Sequence, residues 1–226
     1  MSLSTLGLDV YQLTTLVAHA AAGRLDATLA MSFFFRKLPK GRNYVVAAGL
    51  RSLVEHAEGL RFTPGELAAL HQHPVIGPSL AGASGQAALQ ALGQLDGFTG
   101  EIDALPEGTL AFAGPALRLS GEPLTIAGAP LIAYTPLLQV RCDLTSAKLI
   151  ETPWLSRLNH LSMVASKAAR VVSAATCDGQ PRAVIEFGQR RTHPEAAVDA
   201  SYAAYLGGCS ATSNLAATFR HGVPSV

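Results

Sequence analysis

Cysteine is scarce. Cys142, Cys177 and Cys209 lie more than thirty residues apart and form no C-x-x-C pair. That spacing supplies neither a disulfide framework nor a structural zinc site, and it suits a reducing compartment. Excess charge is scarce too. Seventeen basic side chains against sixteen acidic ones leave +1. No global field therefore draws the protein to nucleic acid or to a membrane surface, and any anion site has to be local. No apolar run approaches the roughly 18–20 residues that span a bilayer. The opening MSLSTLG lacks the basic and apolar regions of a secretory signal. Phosphate-loop, GxGxxG and nucleophile-elbow signatures are missing, as is any internal repeat. These exclusions leave a cytoplasmic globular protein. What the chain does have is apolar mass: 49% hydrophobic against 15% charged residues, enough for a sizeable core.

Periodicity and breakers set the expected elements. LDVYQLTTLVAHAAAGR predicts an amphipathic helix, with Asp9 as N-cap, Val10, Leu13, Leu16 and Val17 at helical spacing, and Gly23 as its stop. ATLAMSFFF reads as a strand that Pro39, Lys40 and Gly41 break, and YVVAAGL leads into a helix through about His56. In TPGELAALHQ, Thr63, Pro64 and Glu66 form a capping box with proline in the first turn. Residues 79–97 are a weakly marked helical region. From Asp103 to Tyr134, prolines and glycines separate short β-favouring runs, the pattern of a small antiparallel sheet. Leu144 to Thr176 is a long helical stretch that Pro153 interrupts, giving two helices or one kinked helix.

Beyond the turn at Asp178 and Gly179 the period changes again. RAVIEFG is a short, fully apolar strand, and PEAAVDASYAAYLGG is a helix opened by Pro194 and closed by Gly207. CSATSN is strand-like, NLAATFRHG is a helix ending at Gly222, and VPSV begins another strand. Strand, helix, strand, helix, strand is the signature of a parallel α/β unit. A boundary near Leu144 divides the chain into residues 1–143 and 144–226.

Ligands of parallel α/β sheets and barrels bind beyond the carboxyl ends of the strands. QRR occupies that place after AVIEFG, and ATSN after the next strand. Arg190 offers a planar fork to a carboxylate or phosphate. Thr212, Ser213 and Asn214 stand at a helix N-terminus, where free N–H groups favour an anion. Each also has an ordinary reading: an arginine after a strand is usually a solvated charge, and Ser, Thr or Asn before a helix is usually a cap. Arg36, Lys37, Lys40 and Arg42 crowd one turn, which ordinarily faces water. Tyr11 is either a core residue or a stacking ring, and helical geometry favours core. The seven histidines are scattered, and His71 and His73 do not share a helix face, so no metal site is assigned. No catalytic residue is assigned either.

Six blocks in order resemble the nicotinate phosphoribosyltransferase family: LDVYQLT, FFFRKLPKGRNYVVAAGL, LPEGTLAF, KLIETPWLSRLN with ASKAARVV, EFGQRR, and YLGGCSATSNLAATFRHGVP. The resemblance implies an α/β fold. An N-terminal α/β domain with a small antiparallel sheet would cover 1–143. A helical connector and the opening βα units of an irregular α/β barrel, of the type II phosphoribosyltransferase kind, would cover 144–226. It also implies that nicotinate is joined to the ribose of phosphoribosyl pyrophosphate, with ATP hydrolysis, to give nicotinate mononucleotide for NAD biosynthesis. ATP and Mg2+ are the implied cofactors, although no site for either is identifiable in this chain.

Residue by residue, Tyr11 matches a tyrosine that packs on the pyridine ring from the neighbouring subunit. Arg36 matches an arginine that reaches the phosphates of the other subunit's substrate. A head-to-tail dimer is therefore implied. Phe187 resembles the ring on the opposite face of the pyridine, and Arg190 the arginine that holds the nicotinate carboxylate. Gln189 stands where the family often has leucine, a departure that bears on pocket polarity. Thr212, Ser213 and Asn214 correspond to a segment lining the base site. After GVP the family continues into a histidine-bearing stretch and later strands that hold ribose and phosphates, so the resemblance covers an N-terminal portion. The expectation is a chain that needs a complementary C-terminal half to catalyse. Two alternatives stay open. One is a quinolinate-type transferase, whose doubly charged substrate calls for more cations than Arg190 and Arg191. The other is a non-catalytic truncated relative that binds an aromatic acid or regulates a homologue.

Overall fold

The computed structural model describes residues 5–116, 118–120, 122–123, 125–126, 129–130, 132–176 and 179–226, so Cys177 and the turn position Asp178 lie outside the described residues. The chain is α/β. It divides into two compact units that interleave along the sequence. One comprises Met1–Met31, Arg51–Asp103 and Gln139–Arg157; the other comprises Ser32–Leu50, Ala104–Leu138 and Leu158–Val226. The division does not fall at one chain position, because segments far apart in sequence pair with one another.

The first unit begins with α1 (Val10–Ala21), which Asp9 precedes and Ala22 ends, followed by Gly23 in the left-handed region. Leu13 and Leu16 are buried as the spacing required, whereas Val10 is 42% exposed and Gln12 is buried instead. The Asp9 side chain makes no capping bond to α1; its carboxylate accepts instead from the Thr152 hydroxyl at 2.9 Å. Strand β1 (Thr28–Phe33) precedes β2 (Val45–Val46), α2 (Leu50–Glu58) and α3 (Pro64–Gln72). At α3 the capping box is complete: Thr63 Oγ1 accepts from the Glu66 N–H at 3.2 Å, and Glu66 Oε2 accepts from the Thr63 N–H at 2.9 Å. Two further helices, α4 (Gly77–Leu80) and α5 (Ala83–Gly93), occupy the weakly marked region, and α5 packs on α1.

Next comes β3 (Gly100–Ala104), then seven short strands that begin with β4 (Leu110–Ala111) and β5 (Ala113–Ala116). The pairs β6 (Arg118–Leu119) with β7 (Glu122–Pro123), and β8 (Thr125–Ile126) with β9 (Ala129–Pro130), are antiparallel. Strand β5 pairs antiparallel with β10 (Ile132–Tyr134). Short antiparallel pairs separated by Pro and Gly are what this stretch predicted. Strand β11 (Leu138–Asp143) then lies between β1 and β3 in a three-stranded sheet. Its residues alternate inward and outward, burying Leu138, Val140 and Cys142.

Helix α6 (Leu144–Ala175) is one continuous helix through Pro153, which excludes the two-helix alternative. Asp143 starts it by accepting the Ser146 N–H at 2.8 Å. Proline removes one helical hydrogen bond and costs roughly 3 kcal/mol. On either side of it Leu149, Ile150 and Trp154 are almost wholly buried. Each such side chain returns about 1.5–3 kcal/mol, so the apolar period outweighs the proline.

In the second unit, β2 pairs antiparallel with β4. The later part of α6 presents Ser162 and Ser166, one turn apart, to this segment. Ser166 Oγ accepts the Val46 N–H at 2.9 Å, and Ser162 Oγ accepts the Ala48 N–H at 3.2 Å. Both hydroxyls are buried and partnered, beside a core of Val46, Ala48, Leu161, Ala165 and Ala203. Strand β12 (Ile185–Glu186) leads to α7 (Pro194–Leu206), β13 (Ala211–Thr212) and α8 (Leu215–His221). β12 and β13 are parallel, and Thr212 forms a further parallel bridge to Ser225. The strand–helix–strand–helix–strand reading therefore holds. Pro194 opens α7, and Gly207 ends it at a point where any Cβ would collide with the Ala165 carbonyl of α6. One detail differs. Ile185 is 39% and Phe187 60% exposed, because β12 pairs on one side alone among the described residues.

Candidate functional site

Glu186 is the one acidic residue in an apolar strand, and the structure explains it. Its Oε1 accepts from the backbone N–H of Gly188. Its Oε2 accepts from Thr212 Oγ1 at 2.6 Å and from Ser201 Oγ of α7 at 2.8 Å. Its backbone carbonyl takes the Ser213 N–H at 3.0 Å. Immediately beyond Gly188, residues Gln189–Arg191 form a single 3-10 turn, closed by the Arg191 N–H on the Gly188 carbonyl at 2.7 Å. Gln189, Arg190 and Arg191 are all exposed, and the Arg190 guanidinium has no hydrogen-bond or ion-pair partner among the described residues. Phe187 presents its ring to solvent beside them. A charged fork and an apolar ring, both free and both on a pinned backbone, are the minimum for holding an aromatic anion.

The TSN segment divides into two roles. Thr212 and Asn214 are fully buried, and their polar groups are directed inward. The Thr212 hydroxyl donates to Glu186 and accepts the Asn214 N–H at 3.0 Å. Asn214 caps α8, accepting the Ala217 N–H at 3.2 Å, and its Nδ2 is buried without a partner among the described residues. Ser213 alone is partly exposed, with a hydroxyl that has no partner among the described residues. The Ala217 N–H, one of the first donors of α8, is thus taken by the helix's own cap, and Ser213 is the member of the trio able to meet a ligand.

The remaining sequence-derived residues lie apart. Arg36, Lys37 and Lys40 are exposed on their turn, whereas Arg42 reaches Met163 Sδ at 3.0 Å. Tyr11 belongs to the first unit, and its ring is 53% exposed where helical spacing had favoured core. Its hydroxyl approaches Glu151 Oε1 at 3.5 Å, too long for a strong bond. Within the second unit the structure brings together Phe187, Gln189, Arg190, Thr212, Ser213 and Asn214, joined through Glu186. Sequence reasoning missed Glu186. A lone carboxylate within AVIEFG, with hydroxyl residues on the following helix and strand, was the available signal.

Two other side chains orient α7. Tyr202 donates to Glu107 Oε2 at 3.1 Å, while Glu107 Oε1 accepts the Gly49 N–H at 2.7 Å. His221 Nε2 lies 2.9 Å from Asp199 Oδ1, its ring stacked on Tyr202 at 4.7 Å. The two described cysteines, Cys142 and Cys209, are buried and inert. Burial first, and the neighbouring Glu186 charge second, push the Cys209 thiol up. Burial and then Asp143 raise Cys142 to about 11. Beside Glu186 a groove of about 360 Å³ is lined by Met163, Val164, Val171, Val184, Ala204 and Cys209 among others, an almost wholly apolar wall. A larger one, about 520 Å³, lies in the first unit around His71, Gln86 and Gln90. Among the described residues no group of three or more His, Cys, Asp or Glu side chains is placed to hold a metal ion. Among them, too, no helix is long and apolar enough to cross a membrane.

Comparison with known proteins bears on the family and the fold. Residues 6–127, more than half of the chain, match the family model described as the nicotinate phosphoribosyltransferase (NAPRTase) N-terminal domain. Nicotinate phosphoribosyltransferase pncB2 of Mycobacterium tuberculosis is 36% identical over 220 residues, covering 96% of this chain and 40% of that protein. The Homo sapiens nicotinate phosphoribosyltransferase is 33% identical over 217 residues, 96% of this chain and 35% of its own length. The crystal structure of human nicotinic acid phosphoribosyltransferase superposes with a TM-score of 0.76 at 32% identity, over 96% of this chain and 38% of that one. A nicotinate-nucleotide pyrophosphorylase from Pyrococcus furiosus superposes at 0.64 over 98% of this chain and 41% of that one, and at 21% identity that likeness concerns the fold alone. The chain thus spans about two-fifths of the length of the relatives it matches. With the ordered sequence blocks, the family-model match and the shared fold in agreement, the chain belongs to the nicotinate phosphoribosyltransferase family.

Proposed function

We propose that this chain supplies the nicotinate-binding part of a nicotinate phosphoribosyltransferase. Arg190 holds the carboxylate, Phe187 covers one face of the pyridine ring, Ser213 lines the base pocket, and Gln189 sets its polarity. The observation that carries this reading is the free Arg190 guanidinium beside the exposed Phe187 ring, on a turn that Glu186 pins. Tyr11 and Arg36 act on the site of a neighbouring subunit, Tyr11 against the ring and Arg36 toward the phosphates, so the working form is a head-to-tail dimer. Phosphoribosyl pyrophosphate is the second substrate, and a complementary C-terminal half completes the transfer. ATP and Mg2+ enter with that completed enzyme. No residue of this chain is assigned to either. The setting is the cytoplasm.

Two measurements test the reading. Calorimetric titration with nicotinate compares the wild type with Arg190→Ala and Arg191→Ala. A charge-assisted bidentate contact is worth about 1.5–3 kcal/mol, so Arg190→Ala is expected to lose roughly ten- to a hundredfold in affinity and Arg191→Ala far less. Equal affinities in the wild type and Arg190→Ala would remove Arg190 from the site. Formation of nicotinate mononucleotide is then assayed with and without the complementary half. No product in either case would remove the transferase assignment.

A further inference from the structure

We infer that Glu186 is the positioning residue of this site, one carboxylate that fixes both the arginine turn and the TSN segment. The inference rests on the nicotinate reading for its affinity measurement, though not for its structural one. Hydrogen bonds run without a gap from one anion-facing segment to the other. The Gly188 N–H, the last amide before the turn, donates to Glu186 Oε1. On the other oxygen, Thr212 Oγ1 donates at 2.6 Å and Ser201 Oγ at 2.8 Å. A hydroxyl has one proton. Once Thr212 gives its proton to the carboxylate, its lone pairs are left to accept, and the Asn214 N–H meets one at 3.0 Å. Asn214 in turn caps α8. The lateral positions of Arg190 and Ser213 are therefore both set by a single side chain.

The same geometry explains why a carboxylate is tolerated beside a site for an anion. Three donors from its own chain converge on it, so its charge is directed inward and compensated where it would otherwise repel a ligand. Glu186 acts through Gly188 and Thr212, which makes it a positioning residue.

The experiment compares wild type, Glu186→Ala, Glu186→Gln and, as a control for lost stability, Leu161→Ala in the buried core. Nicotinate affinity is read by calorimetry, and amide exchange at Gly188 and Asn214 by NMR. Glu186→Ala is expected to lose at least about tenfold in affinity and to raise exchange at both amides by about tenfold or more, because the Gly188 N–H loses its acceptor and Thr212 Oγ1, the acceptor of the Asn214 N–H, loses the carboxylate that fixes it. Glu186→Gln keeps one of the two acceptor oxygens and is expected to restore both only in part. Leu161→Ala lowers the melting temperature and leaves affinity unchanged. Unchanged exchange at Gly188 and Asn214 in Glu186→Ala overturns the inference whatever nicotinate does. If the wild type fails to bind nicotinate, the functional reading falls by itself and the exchange data alone decide the positioning role. Should Glu186→Ala not fold, Thr212→Val against Thr212→Ser carries the same test. Valine is expected to lose the Asn214 protection and serine to keep it, and equal protection in the two would count against the inference.

Discussion

Lowering the pH should loosen the first unit through one histidine. The buried Trp154 indole N–H donates to His56 Nδ1 at 3.1 Å. For Nδ1 to accept, the imidazole must be neutral with its proton on Nε2. Burial chiefly, and the Arg157 charge secondarily, bring His56 from the ordinary 6.5 down to about 4. Between those values the unfolded chain binds a proton that the folded one refuses. The contribution is therefore fully present above about pH 6.5 and is lost as pH falls toward 4. At about 1.36 kcal/mol per pH unit the ceiling is roughly 3 kcal/mol, and partial solvent access to the ring reduces it to about 2 kcal/mol. Trp154 is the sole tryptophan, so urea unfolding followed by its fluorescence reports on this contact directly. His56→Gln offers an acceptor of similar reach that does not titrate. Between about pH 7 and pH 4 the wild type should lose about 2 kcal/mol more than His56→Gln, since titrations common to both cancel. Equal losses in the two proteins would refute the reasoning.

Three other predictions follow from the same geometry. Leu161→Ala opens a cavity among Val46, Ala165 and Ala203 and should cost about 2–5 kcal/mol, read as a fall in melting temperature; a change below about 1 kcal/mol would mean that the site collapses freely. Asn214→Ala removes the cap of α8 and should cost about 0.5–2 kcal/mol by chemical denaturation, whereas Asn214→Asp should retain most of it. Tyr11→Ala mixed with Arg190→Ala, each with the complementary half, should regain part of wild-type transferase activity if the two residues serve one site from different subunits. Mass-spectrometrically confirmed mixed dimers without activity would oppose that arrangement.

Much of the fold could be read from local signals because its causes are local. The α3 capping box is two residues, Thr63 and Glu66, that satisfy each other's backbone groups, so it needs nothing distant. Pro194 and Gly207 bound α7, and Asn214 and Gly222 bound α8, for similar reasons of backbone geometry. The buried leucines of α1 followed from the helical period. At the site, EFGQRR and TSN were identifiable as strand-end segments, and the family resemblance gave them roles.

What the chain could not disclose depended on partners far away in sequence. Whether Pro153 broke a helix was decided by the burial of Leu149, Ile150 and Trp154, which makes continuity cheaper than a break. Tyr11 lay on a helix whose spacing suited core, and only the packing around α1 left its ring half exposed. Thr212, Ser213 and Asn214 look equivalent in sequence. Folding assigns Thr212 and Asn214 to buried hydrogen bonds and leaves Ser213 open. Glu186 carried no local sign of its two hydroxyl donors, because Ser201 and Thr212 reach it only after α7 and β13 have packed beside β12. By itself the sequence determined the elements and the kinds of residue at the strand ends, through forces that act within a few residues. The tertiary structure decided which of those groups face inward and which remain free, because hydrogen-bond satisfaction and burial are settled only by neighbours that the fold brings together.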